Sequence, residues 1–194
     1  MELKEKKIAK RKEEILRSAV NIVVQKGLQK TTMEDIAAEL LMTKGALYYY
    51  FKNKDDLIYQ CHELILTDSI KSVREHTKDA TSATEKLKKA IAVHVQFAVN
   101  EKDIYNLILK PQETFPEKYL TSILAKRKEY ERIFDEIIYE GIESGEFNIT
   151  EVKMARMMAL GAMNWIQQWY SPQGSYTQQE IAEIYSEYLL KIFT

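Results

Sequence analysis

Residues 31–51 read "TTMEDIAAELLMTKGALYYYF", and the fold of the chain turns on how they are read. A threonine precedes two acids, and Ile36, Ala37 and Leu40 then recur on one helical face. That pattern starts a helix: a hydroxyl caps orphan amides, and carboxylates meet the positive end of the dipole. "LMT" leaves room only for a tight connection, after which Thr43 can cap a second, shorter helix, "KGALYYYF". Helix, tight turn, short helix is the arrangement that sends its second member into the DNA major groove, whose width admits one α-helix. Such a helix needs small or polar residues at its start and an apolar back. Lys44 and Ala46 fall at the start, while Leu47 and Phe51 lie one turn apart and face Ile36 and Leu40. Tyr48 and Tyr49 can present a ring and a hydroxyl to DNA. Tyr50 lies between the two faces, where packing is favoured. Lys54 opens the next helix beside amide donors that favour phosphate.

Outward from this stretch the chain reads as helix after helix. Upstream, "IAKRKEEILRSAVNIVVQKG" carries apolar residues near the 3.6 period and ends at Gly27, a suitable C′ residue. Downstream, Asn53 caps a helix to about residue 77, and the small polar residues 77–84 form a loop. A helix over about 85–101 aligns Leu87, Ile91, His94, Phe97 and Ala98. A short segment around 104–109 ends at Pro111, and "PQETFP" reads as a break. A long helix over 117–144, an apolar one capped by Thr150 and reaching Trp169, and a last one from Thr177 to Phe193 complete the pattern. With only 6 Gly and 3 Pro, and no alternating strand-type runs, the expected class is all-α. The expected division is a three-helix DNA-binding domain with a helix-turn-helix over 8–60, and a helical ligand-binding and dimerisation domain over 61–194.

Composition narrows the function. The net charge of -1 hides an asymmetry: residues 1–54 hold 12 Lys/Arg against 7 Asp/Glu, and the remainder is acidic. A basic end on an acidic body suits a polyanion, although a solvated helix face would look the same. The single Cys61 leaves no disulfide framework and no cysteine-based zinc site, and a reducing cytoplasm is the expected compartment. Three histidines, His62, His76 and His94, are spaced unlike a metal site. No stretch is long and apolar enough for a membrane span, and the N-terminus lacks the apolar region of a signal peptide. No G-x-S-x-G, Walker loop, H-E-x-x-H or GxGxxG occurs, so no catalytic residue is assigned and an enzyme is not expected.

Thr32, Ile36, Ala37, Thr43, Gly45, Leu47, Tyr48, Tyr50, Phe51, Lys54 and Leu57 match, at fixed spacing, the motif of the TetR family of bacterial transcriptional repressors, which the chain resembles over about residues 8–60. The resemblance departs in the turn, where the family usually has Ala-Gly and this chain has Leu40-Leu41. Leu41 is therefore expected either to be strained or to sit in a different turn. By resemblance, Thr32 caps and contacts phosphate, Thr43, Lys44, Ala46 and Tyr49 approach base edges or backbone, and Tyr48 and Lys54 hold phosphates. The basic arm of Lys4, Lys6, Lys7, Lys10, Arg11 and Lys12 would follow the backbone or minor groove, the alternative being an arm without a role.

The resemblance also implies a homodimer on a near-palindromic double-stranded operator, paired through the last two helices. Ala155, Ala159 and Ala162 are the candidate seam, with internal close packing as the alternative. The C-terminal segment "ALGAMNWIQQWYSPQG" is similar to that of TetR-type regulators of lipid and acyl-CoA catabolism. That likeness implies a small hydrophobic effector such as a long-chain acyl-CoA, with no other cofactor. Phe97, Tyr105, Tyr130, Phe134, Met158 and Trp165 would line its apolar cavity, if they are not plain core. Arg127, with Lys126 and Lys110, would meet the CoA head, unless Arg127 pairs with Glu131 one turn on. His94 is a satisfied core histidine or a ligand contact. A sensor of hydrophobic cationic or aromatic compounds controlling drug efflux, or a helical partner-binding protein without operator specificity, are the alternatives.

Overall fold

The computed structural model describes residues 3–27, 29–100 and 111–194. Among these residues there are helices and no strand. In chain order they are α1 (Leu3–Lys26), α2 (Met33–Glu39), α3 (Lys44–Tyr50), α4 (Lys54–Thr77), α5 (Ala83–Asn100), α6 (Pro111–Thr114), α7 (Glu117–Glu143), α8 (Val152–Trp169) and α9 (Gln178–Leu190). The all-α class read from periodicity is the one observed.

The helices form two compact units, and neither is one continuous stretch. Residues 3–65 with 111–123 make the first, residues 66–100 with 124–194 the second. This differs from the expected single cut after residue 60: α4 and α7 each contribute to both units. In the first unit, Ile15, Ala19 and Val23 of α1 are buried with Ile36, Leu47, Phe51, Leu57 and Ile58. Residues 111–123 join it through Tyr59, whose ring stacks on Tyr119 at 4.5 Å and whose hydroxyl shares a hydrogen bond with Ser122 Oγ at 2.9 Å. Cys61 is buried there, and desolvation raises its thiol pKa, so it is an inert core residue.

In the second unit α5 packs on α8 and α9. Leu87, Ile91, Phe134, Ile138, Met163 and Ile166 belong to its core. One loop ties its helix ends together. α7 ends at Gly145, which takes φ +78°, a conformation that L side chains rarely adopt. Glu146 then accepts from the Ala83 and Thr84 amides at 3.0 and 2.9 Å, capping α5. Phe147 folds back over Gly141, and the Asn148 amide donates to the Phe193 carbonyl at 2.7 Å.

Several local expectations change. The first residues of "PQETFP" are a helical turn, α6, because Pro111 at a first helical position loses no bond there. Thr150 does not cap α8; Glu151 holds that position without a side-chain bond. Thr177 does cap α9, in a capping box with Glu180, but the helix stops at Leu190. The segment expected around 104–109 lies outside the described residues.

Candidate nucleic-acid interface

The first unit builds its candidate site from α2, a turn and α3. Thr32 begins α2 by accepting the Asp35 amide at 3.1 Å, and Asp35 accepts the Thr32 amide at 2.9 Å in return. The Thr32 hydroxyl and amide, then Lys26, hold the Asp35 carboxyl at a pKa of about 2, so this box is charged at any ordinary pH. The turn that follows is a Schellman motif: the Met42 amide donates to the Ala37 carbonyl at 2.8 Å and the Leu41 amide to Ala38 at 3.0 Å. Its left-handed residue is Leu41, at φ +52° and 96% exposed. Of the two outcomes expected for Leu41, the strained one is observed, in the ordinary turn.

Thr43 caps α3 by accepting the Ala46 amide at 3.2 Å. Leu47 and Phe51 are fully buried against this unit's core, as is Ile36, so the braced back of α3 is as expected. Leu40 is only half-buried. The front carries Thr43, Lys44, Gly45, Tyr48 and Tyr49, all exposed, with Ala46 half-buried among them. Thr32 is exposed at the start of α2, and Lys54 is half-buried at the start of α4. Tyr50 is half-buried, its ring edge-on to Tyr49 at 5.1 Å and tilted against Phe51 at 6.3 Å, which fits a packing role.

Two features were not legible in the sequence. Lys44 forms an ion pair with Glu34 across the two helices and holds its ammonium 5.7 Å from the Tyr48 ring centroid. That pairing with Glu34 raises the Lys44 pKa, keeping it cationic. Gly45 is exposed, and a Cβ there would meet nothing within 4 Å. Nothing inside the protomer therefore requires a glycine at that helical position, which marks a surface meant for close approach by something outside it.

The second unit sorts the remaining candidates. Tyr130 and Phe134 are buried and Phe97 is packed against the core, as a cavity lining would be. Tyr105 lies outside the described residues. Met158 and Trp165 point the other way, 61% and 65% exposed. Conversely Ala155 and Ala159 are buried in this unit's own core and Ala162 is half-buried. The expected roles on α8 are thus exchanged: its small residues let α5 approach within the protomer, and its large ones face outward. Met154, Met157 and Trp169 extend that outward face, with Ile184 and Tyr188 exposed on α9. Arg127 is half-buried, and Glu131 pairs with Arg156 of α8 at 2.5 Å rather than with it. Asp135 completes that cluster 2.9 Å from Arg156; burial raises its carboxyl pKa, and Arg156 opposes the shift.

His94 is satisfied inside the core. Its Nδ1 lies 2.9 Å from the Tyr130 hydroxyl and its Nε2 3.2 Å from Asn164 Oδ1. Asn164 Oδ1 can only accept, which makes Nε2 the donor and Nδ1 the acceptor of the Tyr130 proton. Burial pushes the imidazole pKa down to about 4, so the ring is neutral. The same unit carries a groove of about 460 Å³ lined by Lys71, Arg74, Lys78 and Lys126 together with Thr67 and Ile70. Among the described residues no group of His, Cys, Asp or Glu could hold a metal, and no helix is long and apolar enough to cross a membrane.

The family comparison follows this division of labour. Residues 15–61 match the family of bacterial regulatory proteins, tetR family, and residues 80–193 match the tetracyclin repressor-like C-terminal domain. The chain belongs to the TetR family. It is a transcriptional regulator, and the family's members are regulators rather than enzymes. The fatty acid metabolism regulator protein of Bacillus subtilis (strain 168) is 28% identical over 155 residues, 78% of each chain. The TetR-family regulator PfmR of Thermus thermophilus has the same fold, with a TM-score of 0.82 at 24% identity over 91% of this chain and 97% of that one. AibR, solved in complex with isovaleryl coenzyme A and operator DNA, superposes with a TM-score of 0.78 at 23% identity, covering 93% and 98%.

Proposed function

We propose that this TetR-family protein is a repressor that binds a palindromic operator as a homodimer and is released by a small hydrophobic effector of the long-chain acyl-CoA class. The observation that carries the DNA half is the front of α3: an open glycine flanked by Thr43, Lys44, Tyr48 and Tyr49, on a helix whose back is fully braced. A short braced helix with a bare, polar front fits a major groove and little else. Thr32, Tyr48 and Lys54 would take phosphates, and Thr43, Lys44, Ala46 and Tyr49 would approach base edges. The Glu34 carboxylate competes with DNA for Lys44, so the ion pair opens on binding.

The effector half is supported by the regulator of fatty acid metabolism that the chain resembles over most of its length, and by the chemistry of the second unit. Phe97, Tyr130 and Phe134 supply apolar lining next to one polar cluster at His94. The groove lined by Lys71, Arg74, Lys78 and Lys126 suits the phosphates of a CoA head, with Lys126 the one expected cation that lines it. AibR, which shares the fold, was solved with an acyl-CoA. Release would follow from the effector favouring a conformation in which the two α3 helices no longer match successive major grooves.

The test is fluorescence anisotropy of the purified protein on the DNA upstream of its own gene against random DNA at moderate salt. A clear preference that a long-chain acyl-CoA abolishes, and that free CoA does not, is the expected result. No preference for that DNA sinks the operator reading. Preference unaffected by acyl-CoA but abolished by a hydrophobic cation would move the effector to the drug-like class.

A further inference from the structure

The basic surplus of the DNA-binding unit does not lie where the reading helix is. Residues 13–54, which contain the whole helix-turn-helix, hold six Lys/Arg against five Asp/Glu, whereas residues 3–12 hold six against one. Those ten residues are not a loose arm. They are the first turns of α1, continuous with the helix that packs into the unit. The first buried residue of α1 is Ile15. The twelve residues before it make a rod about 18 Å long at 1.5 Å per residue. Along the rod only Ile8 and Lys12 are even half-buried. No packing within the protomer explains so long an extension.

Charge is arranged on the rod by helical angle. Lys6 and Lys10 make one row, and Lys4, Lys7 and Arg11 make the next, so the two form a single cationic face opposite Ile8 and Ile15. Arg11 is engaged by Glu14 at 3.1 Å. Among the described residues Lys4, Lys6, Lys7 and Lys10 have no carboxylate within ion-pair distance. Lys12 anchors the rod beside the reading helix: its ammonium lies 5.6 Å from the ring centroid of Phe51, the C-cap of α3. The extension also precedes the part of the chain that the DNA-binding family model covers, which begins at residue 15.

We infer that the start of α1 is a second DNA contact, a helical rod that binds the phosphates flanking the sequence read by α3. It rests on the DNA-binding reading above and adds to it. An α-helix is about 10–12 Å across with its side chains, and the minor groove is about 6 Å wide, so the rod cannot thread that groove as an extended arm would. Its lysines reach phosphate oxygens and read no bases. The rod supplies general affinity, and the near-neutral helix-turn-helix is left to discriminate. A membrane surface fits less well, since the rod has only Leu3 and Ile8 as large apolar residues and no aromatic ones.

The test compares the full chain with a variant carrying Lys4→Gln, Lys6→Gln, Lys7→Gln and Lys10→Gln, changes that keep helix propensity. The probes are a duplex selected by the wild-type protein from a random pool, the same site with its flanks trimmed, and random DNA. Binding is followed from about 50 to 300 mM salt, with circular dichroism to verify the helix. Each lost phosphate contact removes about 0.9 from the slope of log affinity against log salt, so the variant's slope on the long duplex should fall by about 3 per protomer. Affinity for the long duplex and for random DNA should drop together, by about 10-fold or more, and the trimmed site should bind both proteins alike. An unchanged slope overturns the inference, as does a loss confined to the selected sequence, or a loss of binding to anionic vesicles with DNA binding intact. If the wild-type protein itself selects no sequence, the operator reading fails instead.

Discussion

At the scale of single residues, the strained and the bare positions carry the most information. Leu41 holds a left-handed conformation that costs a non-glycine residue roughly 1–3 kcal/mol, and its side chain, 96% exposed, recovers nothing by burial. Leu41→Gly should therefore stabilise the protein by about 1 kcal/mol after the entropy of the added glycine is counted, read as a higher urea midpoint at unchanged m-value. The missing glycine was legible in the sequence because a tight turn between two helices requires one. Gly45 is the converse case. Its openness depends on three-dimensional surroundings that no spacing reveals. Gly45→Ala should raise stability by about 0.5–1 kcal/mol through helix propensity and yet weaken operator binding, because the added methyl group meets DNA. Stability and affinity both rising would remove Gly45 from the interface. His94 gives a third prediction. Its folded pKa of about 4 lies below the ordinary 6.5, so the unfolded chain binds the extra proton between those values. Stability from the neutral buried ring is complete above pH 6.5 and is lost as pH falls toward 4, by about 3 kcal/mol at most. Urea midpoints should decline over that window in the wild type and decline less in His94→Gln.

At the scale of elements, periodicity located the helices well and assigned their faces unevenly. α1, α2 and α3 have one apolar row each, so the row that faces the core is unambiguous. α8 has two, a row of alanines and a row of methionines and tryptophans, and both are apolar by composition. Which row is internal depends on how closely α5 approaches, a distance that is not written in α8 itself. Arg156 illustrates the same limit: its partners Glu131 and Asp135 are on another helix, whereas sequence spacing offered only Arg127 to Glu131. The loop after α7 was legible as a break but not as a clasp. A Cβ on Gly141 would lie 2.1 Å from the Phe147 ring, far inside contact distance. Phe147 cannot retreat freely, since it packs on Phe193 with ring centroids 5.6 Å apart. Gly141→Ala should therefore destabilise the protein by about 3 kcal/mol, the upper range for forcing atoms into a packed core, despite alanine's better helix propensity. A loss below about 0.5 kcal/mol would mean that Phe147 is not held against α7.

At the scale of the whole molecule, one reading helix of seven residues touches too few bases to choose an operator among many sites, so function requires a second copy. The protomer carries a surface that suits one. Met154, Met157, Met158, Trp165 and Trp169 of α8 are all 45% or more exposed, and Ile184 and Tyr188 continue the apolar surface on α9. A soluble monomer seldom leaves so large a contiguous apolar patch uncovered. Gly161 sits within it, and a Cβ there would meet nothing within 4 Å, leaving room for another helix to cross. The exposed row, not the buried alanines, is thus the expected two-fold contact, and Trp165 is its most exposed member. Trp165→Glu would bring two like charges toward each other in an apolar interface without disturbing the protomer's own core. The variant should sediment as a monomer with unchanged helical content, and its operator affinity should fall by more than about 10-fold, because the second half-site no longer binds at high effective concentration. A Trp165→Glu protein that remains dimeric would exclude this face as the interface and leave its exposed tryptophans to be explained by a different partner.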